Sequence, residues 1–146
     1  MENKYYTPAI EDLRVGYECE HTTDTLTFKV NNTDEIIKDK LYSHDVVNYL
    51  KWIIEDNHEI SEFIRTPYLT KEQIEAEGWK SKTEYTGKFR FVFEKGNSWL
   101  AWNPEENMMT IMPIDPSKEF YEHNVRYAGG CPSINEFRQI CKLLDI

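Results

Sequence analysis

The sequence predicts an α+β fold: an antiparallel sheet, built from an N-terminal hairpin and a C-terminal meander, packed by two main helices in a single domain over residues 1–146. Three observations carry this prediction. Apolar and polar residues alternate over residues 13–20 and again around Phe89, Phe91 and Phe93, the period of a half-buried strand. Apolar residues recur at three- and four-residue steps over residues 46–54 and 134–144, the period of a helix that buries one face. The 146 residues are 40% hydrophobic and 14% aromatic, enough to fill one core in a chain of ordinary domain length.

Each element follows from its residues. Leu13, Val15, Tyr17 and Cys19 form the apolar side of a first strand. Thr22-Thr23-Asp24 reads as its turn, and Leu26, Phe28 and Val30 resume the alternation as the second arm of a hairpin. Ser43 is placed to cap a helix whose inner stripe is Val46, Tyr49, Leu50, Ile53 and Ile54. Thr66-Pro67 then turns the chain away from helix, because proline disfavours that conformation in the residue before it. Thr70 and Gln73 have the spacing of a capping box, and Gly78 is placed to end that short helix.

Strands resume with Phe89, Phe91 and Phe93. Gly96-Asn97 marks a tight turn, and strands follow over residues 99–102, 108–114 and 119–127. Four strands with short connections predict a meander. Ser133 and Glu136 have capping-box spacing at the start of the closing helix, whose apolar face is Ile134, Phe137, Ile140, Cys141 and Leu144. No repeat, low-complexity run or linker interrupts the chain.

Composition narrows the classes of function. Twenty-six acids against 17 bases give a formal charge of −9, and no dense basic run occurs. Duplex nucleic acid and anionic membrane surfaces, which attract clustered lysine and arginine, are therefore disfavoured as partners. No stretch approaches the roughly 18 apolar residues of a membrane span. The polar start, residues 1–7, lacks the layout of a secretory signal, so a cytoplasmic location is expected. Cys19, Cys131 and Cys141 are odd in number and widely spaced, which suits buried, reduced thiols.

The sequence supplies no catalytic spacing. Gly129-Gly130 precedes a capped helix but is not followed by the Lys-Ser/Thr of a phosphate loop, and reads as a plain turn. His21, His44, His58 and His123 form no paired metal-binding motif, and Glu18, Glu20 and His21 read as solvated polar residues. No metal, cofactor or catalytic residue is assigned, and the protein is expected not to be an enzyme. Four tryptophans and nine tyrosines make the aromatics the more informative group. Trp79, Trp99, Trp102, Arg90 and Arg126 are the candidate binding residues, as an exposed surface of rings and guanidinium groups that grips a protein or a nucleotide-like ligand. Trp99 and Trp102 stand three apart, so on a strand they point to opposite faces.

Three segments carry a resemblance. They are Tyr5-Tyr6-Thr7-Pro8-Ala9-Ile10-Glu11 with Val15-Gly16-Tyr17-Glu18, then Leu69-Thr70-Lys71-Glu72-Gln73-Ile74-Glu75 with Gly78-Trp79-Lys80, and Ile134-Asn135-Glu136-Phe137 running on to Leu143-Leu144-Asp145-Ile146. In this order they resemble a family of small uncharacterised proteins from bacteriophages of gut bacteria and from their hosts' genomes. Gly129-Gly130-Cys131-Pro132 departs from the lysine-rich approach expected before the last helix. The family has no known activity, so no functional residue is carried over. The resemblance implies a setting in the bacterial host cell, and an accessory protein that acts by binding.

The expected function is therefore a phage-associated, non-catalytic binding protein that inhibits a host defence factor or sequesters a nucleotide-like ligand. A homo-oligomer is compatible with this reading. The alternatives are a virion or assembly component and an acidic mimic of nucleic acid. The mimic rests on the charge and on the seven acids between Glu55 and Glu77.

Overall fold

The computed structural model describes residues 4–82, 91–114 and 125–146. The chain is α+β with antiparallel sheets, and it divides into two compact units, Met1–Tyr68 and Leu69–Ile146, each with a sheet and a core of its own.

The first unit holds β1 (Tyr5–Tyr6), β2 (Glu18–His21), β3 (Ile37–Lys40), α1 (Ser43–Ile54) and β4 (Ile64–Pro67). Its four strands lie in the order β1-β4-β2-β3. Leu13, Tyr17, Cys19, Leu41, Tyr49, Phe63 and Ile64 form its buried core. The first strand is shorter than the alternation predicts, because Gly16 has a φ of +91°, a left-handed conformation that breaks an extended run.

The predicted hairpin partner is also different: β2 pairs with β3 and β4, and Leu26, Phe28 and Val30 lie in turns. Short polar side chains explain the change. Asp24 Oδ1 accepts from the Leu26 amide at 2.9 Å, Thr22 Oγ1 accepts from the Asp24 amide at 3.1 Å, and the Thr22 and Thr27 hydroxyls meet at 3.0 Å. Such local bonds offer the backbone an alternative to a ladder. Leu26 and Val30 are left 56% and 64% exposed.

Helix α1 begins at Ser43 rather than after it. The Tyr42 amide donates to Asp45 Oδ2 at 2.9 Å, so Asp45 supplies the N-terminal hydrogen bond assigned to Ser43.

The second unit runs α2 (Lys71–Ala76), β5 (Lys80–Ser81), β6 (Phe91–Lys95), β7 (Ser98–Asn103), β8 (Met108–Pro113), β9 (Tyr127–Gly130) and α3 (Ile134–Leu144). The strands follow one another in space as a five-stranded meander. Thr70 and Gln73 form the expected capping box, at 3.2 and 3.0 Å, and Gly78 follows α2 with a φ of +92°. The expected Gly96-Asn97 turn joins β6 to β7, with Lys95 opposite Ser98.

Gly129-Gly130 is strand rather than turn. The Tyr127 side chain folds back along β9, and its hydroxyl donates to the Gly130 carbonyl at 2.6 Å. A Cβ on Gly129 would lie 3.0 Å from that hydroxyl, so the missing side chain makes room for the ring. Phe89, His123 and most of the predicted 119–127 strand lie outside the described residues.

At the start of α3, Ser133 Oγ accepts from the Asn135 amide at 3.2 Å and donates to the Glu136 carboxylate. Ser133→Ala removes an N-terminal cap and is expected to cost about 1 kcal/mol, measured as a lower urea midpoint with an unchanged slope.

Candidate functional site

Of the residues predicted to form one binding surface, the four described ones do not assemble as an exposed patch. Trp79 is 2% and Trp102 4% exposed. Both belong to the core of the second unit, with Leu100, Met109, Ile111 and Phe137. Strand alternation decides this: β7 turns Ser98, Leu100 and Trp102 inward and leaves Trp99 half-buried on the opposite face. Trp102 packs on Phe91 with ring centroids 5.6 Å apart, and Trp79 on Phe137 at 6.2 Å. The Trp79 indole interacts with the Cys141 thiol, a weak acceptor that leaves it short of a formed hydrogen bond.

Arg126 is exposed, but its Nη2 donates to the Leu144 carbonyl at 2.7 Å. A cation at a helix C-terminus satisfies open carbonyls and complements the helix dipole, so its local role is to close α3. Arg90 lies outside the described residues.

The polar groups that the sequence left in solvent are buried in the first unit. Glu20 is 7% and His21 1% exposed. Arg65 on β4 donates through Nε and Nη2 to Glu20 Oε1, at 3.1 and 2.8 Å. Its guanidinium also stacks on Tyr5 and Phe28, 4.1 and 4.6 Å from the ring centroids. Register brings this about, since Glu20 stands opposite Arg65 in the β2–β4 ladder. The Tyr17 hydroxyl meets Thr66 Oγ1 at 2.9 Å. His21 Nδ1 lies 2.7 Å from the Tyr49 hydroxyl.

Burial pushes the Cys19 thiol up to about 12, with Asp45 and Glu20 adding to the effect. It raises the Cys131 and Cys141 thiols as well. Thiols held this way stay protonated at neutral pH and are poor nucleophiles. All three cysteines are free and buried, as their spacing predicts. These interior contacts join β1, β2, β4 and α1, and among them the buried His21 Nε2 alone makes no formed hydrogen bond among the described residues.

The exposed chemistry lies on the other side of α1. Its inward positions are Asp45 and Tyr49, with Trp52 and Ile53 packed against the core. Its outward positions His44, Val47, Lys51 and Ile54 follow spacings of three, four and three, so they share one face. Val47 is 65% and Ile54 69% exposed. The stripe continues into the preceding segment: the His44 ring stacks parallel to Tyr42 at 6.2 Å, and Lys40 Nζ lies 5.7 Å from the Tyr42 centroid. The result is one exposed strip of Lys40, Tyr42, His44, Val47, Lys51 and Ile54.

Exposed large apolar side chains concentrate in the same unit. It carries Ile10, Val15, Leu26, Val30, Ile37, Tyr42, Val47 and Ile54, against Met108, Val125 and Leu143 in the other unit among the described residues. Three- and four-residue periodicity places Ile54 on the inner stripe, but the structure leaves it exposed. At about 100° per residue it falls about 20° from Val47 and about 140° from Tyr49, and that angular reading separates the two stripes where a count of apolar residues does not.

Among the described residues no group of His, Cys, Asp and Glu is arranged to hold a metal, and no helix is long and apolar enough to cross a membrane. No family model, curated protein or solved structure matches the chain.

Proposed function

We propose that this protein is a phage-associated, non-catalytic binding protein that inhibits a host protein, and that it docks through the outer face of α1. The observation that carries the reading is the strip itself, in which Val47 and Ile54 stand 65% and 69% exposed on either side of Lys51. Two β-branched side chains left in water on one helix face forgo about 1.5–3 kcal/mol each that burial would return. A helix face with anchors at these spacings pairs with another amphipathic helix. The lysines along it, Lys40 and Lys51, specify acids on that partner.

A protein partner is favoured over a nucleotide, because two of the rings that would stack a base, Trp79 and Trp102, are core. The bacterial cytoplasm is the compartment this reading requires.

The test is equilibrium binding to the host chain retained by the protein when it is purified from the bacterial host. Val47→Asp with Ile54→Asp is expected to weaken that complex by more than 100-fold, since central interface anchors carry about 2 kcal/mol or more each. Thermal unfolding should be unchanged, because neither side chain is buried. Undiminished binding by the double variant contradicts the docking face. A retained nucleotide, or self-association alone, contradicts the host-protein reading.

A further inference from the structure

We infer that α1 is latched to its sheet by a neutral His21 and is loosened when acid protonates that ring, so that the face proposed for docking is pH-sensitive. His21 projects inward from β2, where it stands opposite Ile37 of β3 and Ile64 of β4. The ring meets Tyr49 of α1 edge-on, with centroids 5.6 Å apart, and Nδ1 takes the 2.7 Å contact to the Tyr49 hydroxyl. Tyr49 is itself 1% exposed and stacks on Phe63 at 5.0 Å. Burial raises the Tyr49 phenol well above its ordinary value, so the hydroxyl keeps its proton and can share the 2.7 Å bond with the neutral ring as donor or acceptor. The other ring nitrogen, Nε2, is buried and makes no formed hydrogen bond among the described residues, although the Asp39 backbone acts on the ring.

Protonation undoes this arrangement. Both ring nitrogens become donors, so the Tyr49 hydroxyl is restricted to accepting from Nδ1 and its own proton is turned away from the ring. A full charge also appears on a side chain that is 1% exposed.

The groups acting on the ring come from three elements. Asp39 on β3, through its backbone and carboxylate, and Asp45 on α1 favour the charged form, while His44 opposes it. Tyr49 on α1 supplies the hydrogen bond, and Cys19 lies two residues away on the same face of β2. Burial is the largest effect, and it places the ring below its ordinary value. A folded value that is lowered means that the opened segment binds the proton more tightly. The latch is therefore complete above about pH 6.5 and is lost progressively as the pH falls below that value. Its consequence for docking rests on the proposed function; the latch itself does not.

Amide hydrogen exchange of the free protein between pH 7.5 and 5, corrected for intrinsic rates, tests it whether or not any partner docks. Protection of α1 is expected to fall below about pH 6 by up to tenfold per pH unit relative to α3, the limit for one linked proton. His21→Gln, which cannot titrate, should remove that excess loss. Parallel behaviour of α1 and α3, or an unchanged loss in His21→Gln, overturns the inference. If that variant does not fold, the NMR titration of the wild-type His21 ring decides. A ring that charges only as α1 opens supports the latch, and one that charges at or above its ordinary value while α1 stays protected overturns it.

Discussion

Phe137→Ala is expected to destabilise the second unit by about 3–5 kcal/mol, the cost of deleting a buried aromatic ring and leaving its cavity. The ring is fully buried, on the inner face of α3, among Ile74, Trp79, Leu100 and Ile111. It lies 6.2 Å from Trp79, tilted at 55°. The comparison with Ser133→Ala makes the prediction specific. That variant removes one hydrogen bond at the end of the same helix and costs several-fold less. Urea unfolding followed by tryptophan fluorescence measures both, and equal, small losses would mean that α3 is peripheral to the core.

Arg65→Met is expected to cost about 3–5 kcal/mol, nearer the lower figure because the arginine side chain is 28% exposed. Glu20 then loses the Nε and Nη2 bonds while its side chain remains 9% exposed, a buried carboxylate with that partner removed. The loss arises from the stranded charge more than from the lost attraction, and a second substitution separates the two. In the Arg65→Met background, Glu20→Gln should recover part of the stability, because a neutral amide is cheaper to bury than a carboxylate. Thermal unfolding of the single and double variants provides the measurement. No recovery would mean that Arg65 acts chiefly through its stacking on Tyr5 and Phe28.

What the sequence made legible was local. The capping box at Thr70 and Gln73, the cap at Ser133, the tight turn at Gly96-Asn97 and the opposed directions of Trp99 and Trp102 all depend on residues within three or four positions of one another. The second arm of the hairpin was not legible. Its period-two pattern at Leu26, Phe28 and Val30 is outcompeted by side-chain bonds from Thr22 and Asp24. The strand that takes its place, β3, is exposed at all four positions and so shows no alternation. Its lysines, Lys38 and Lys40, are the charges that blunt an edge strand against unwanted pairing.

The interior polar groups were illegible for a different reason. Glu20 and Arg65 are 45 residues apart, and His21 and Tyr49 are 28 apart. A lone Glu or His in a sequence reads as solvated until the fold supplies its partner. Tryptophans are the conspicuous binding candidates in the sequence, but the core of the second unit takes up Trp79 and Trp102. The exposed strip is made of valine, isoleucine, lysine and one tyrosine–histidine stack, and only the angular position of Val47 and Ile54 on α1 marks it.

Photo-crosslinking from single positions in the bacterial host tests the docking face most directly. A photoreactive residue placed at position 47 or 54 is expected to give the same single adduct with one host protein. Position 143 serves as the control, since Leu143 is 78% exposed on the other unit, and it should give none. An adduct from position 143 with none from 47 and 54 would contradict the account, as would adducts that join only two copies of this chain.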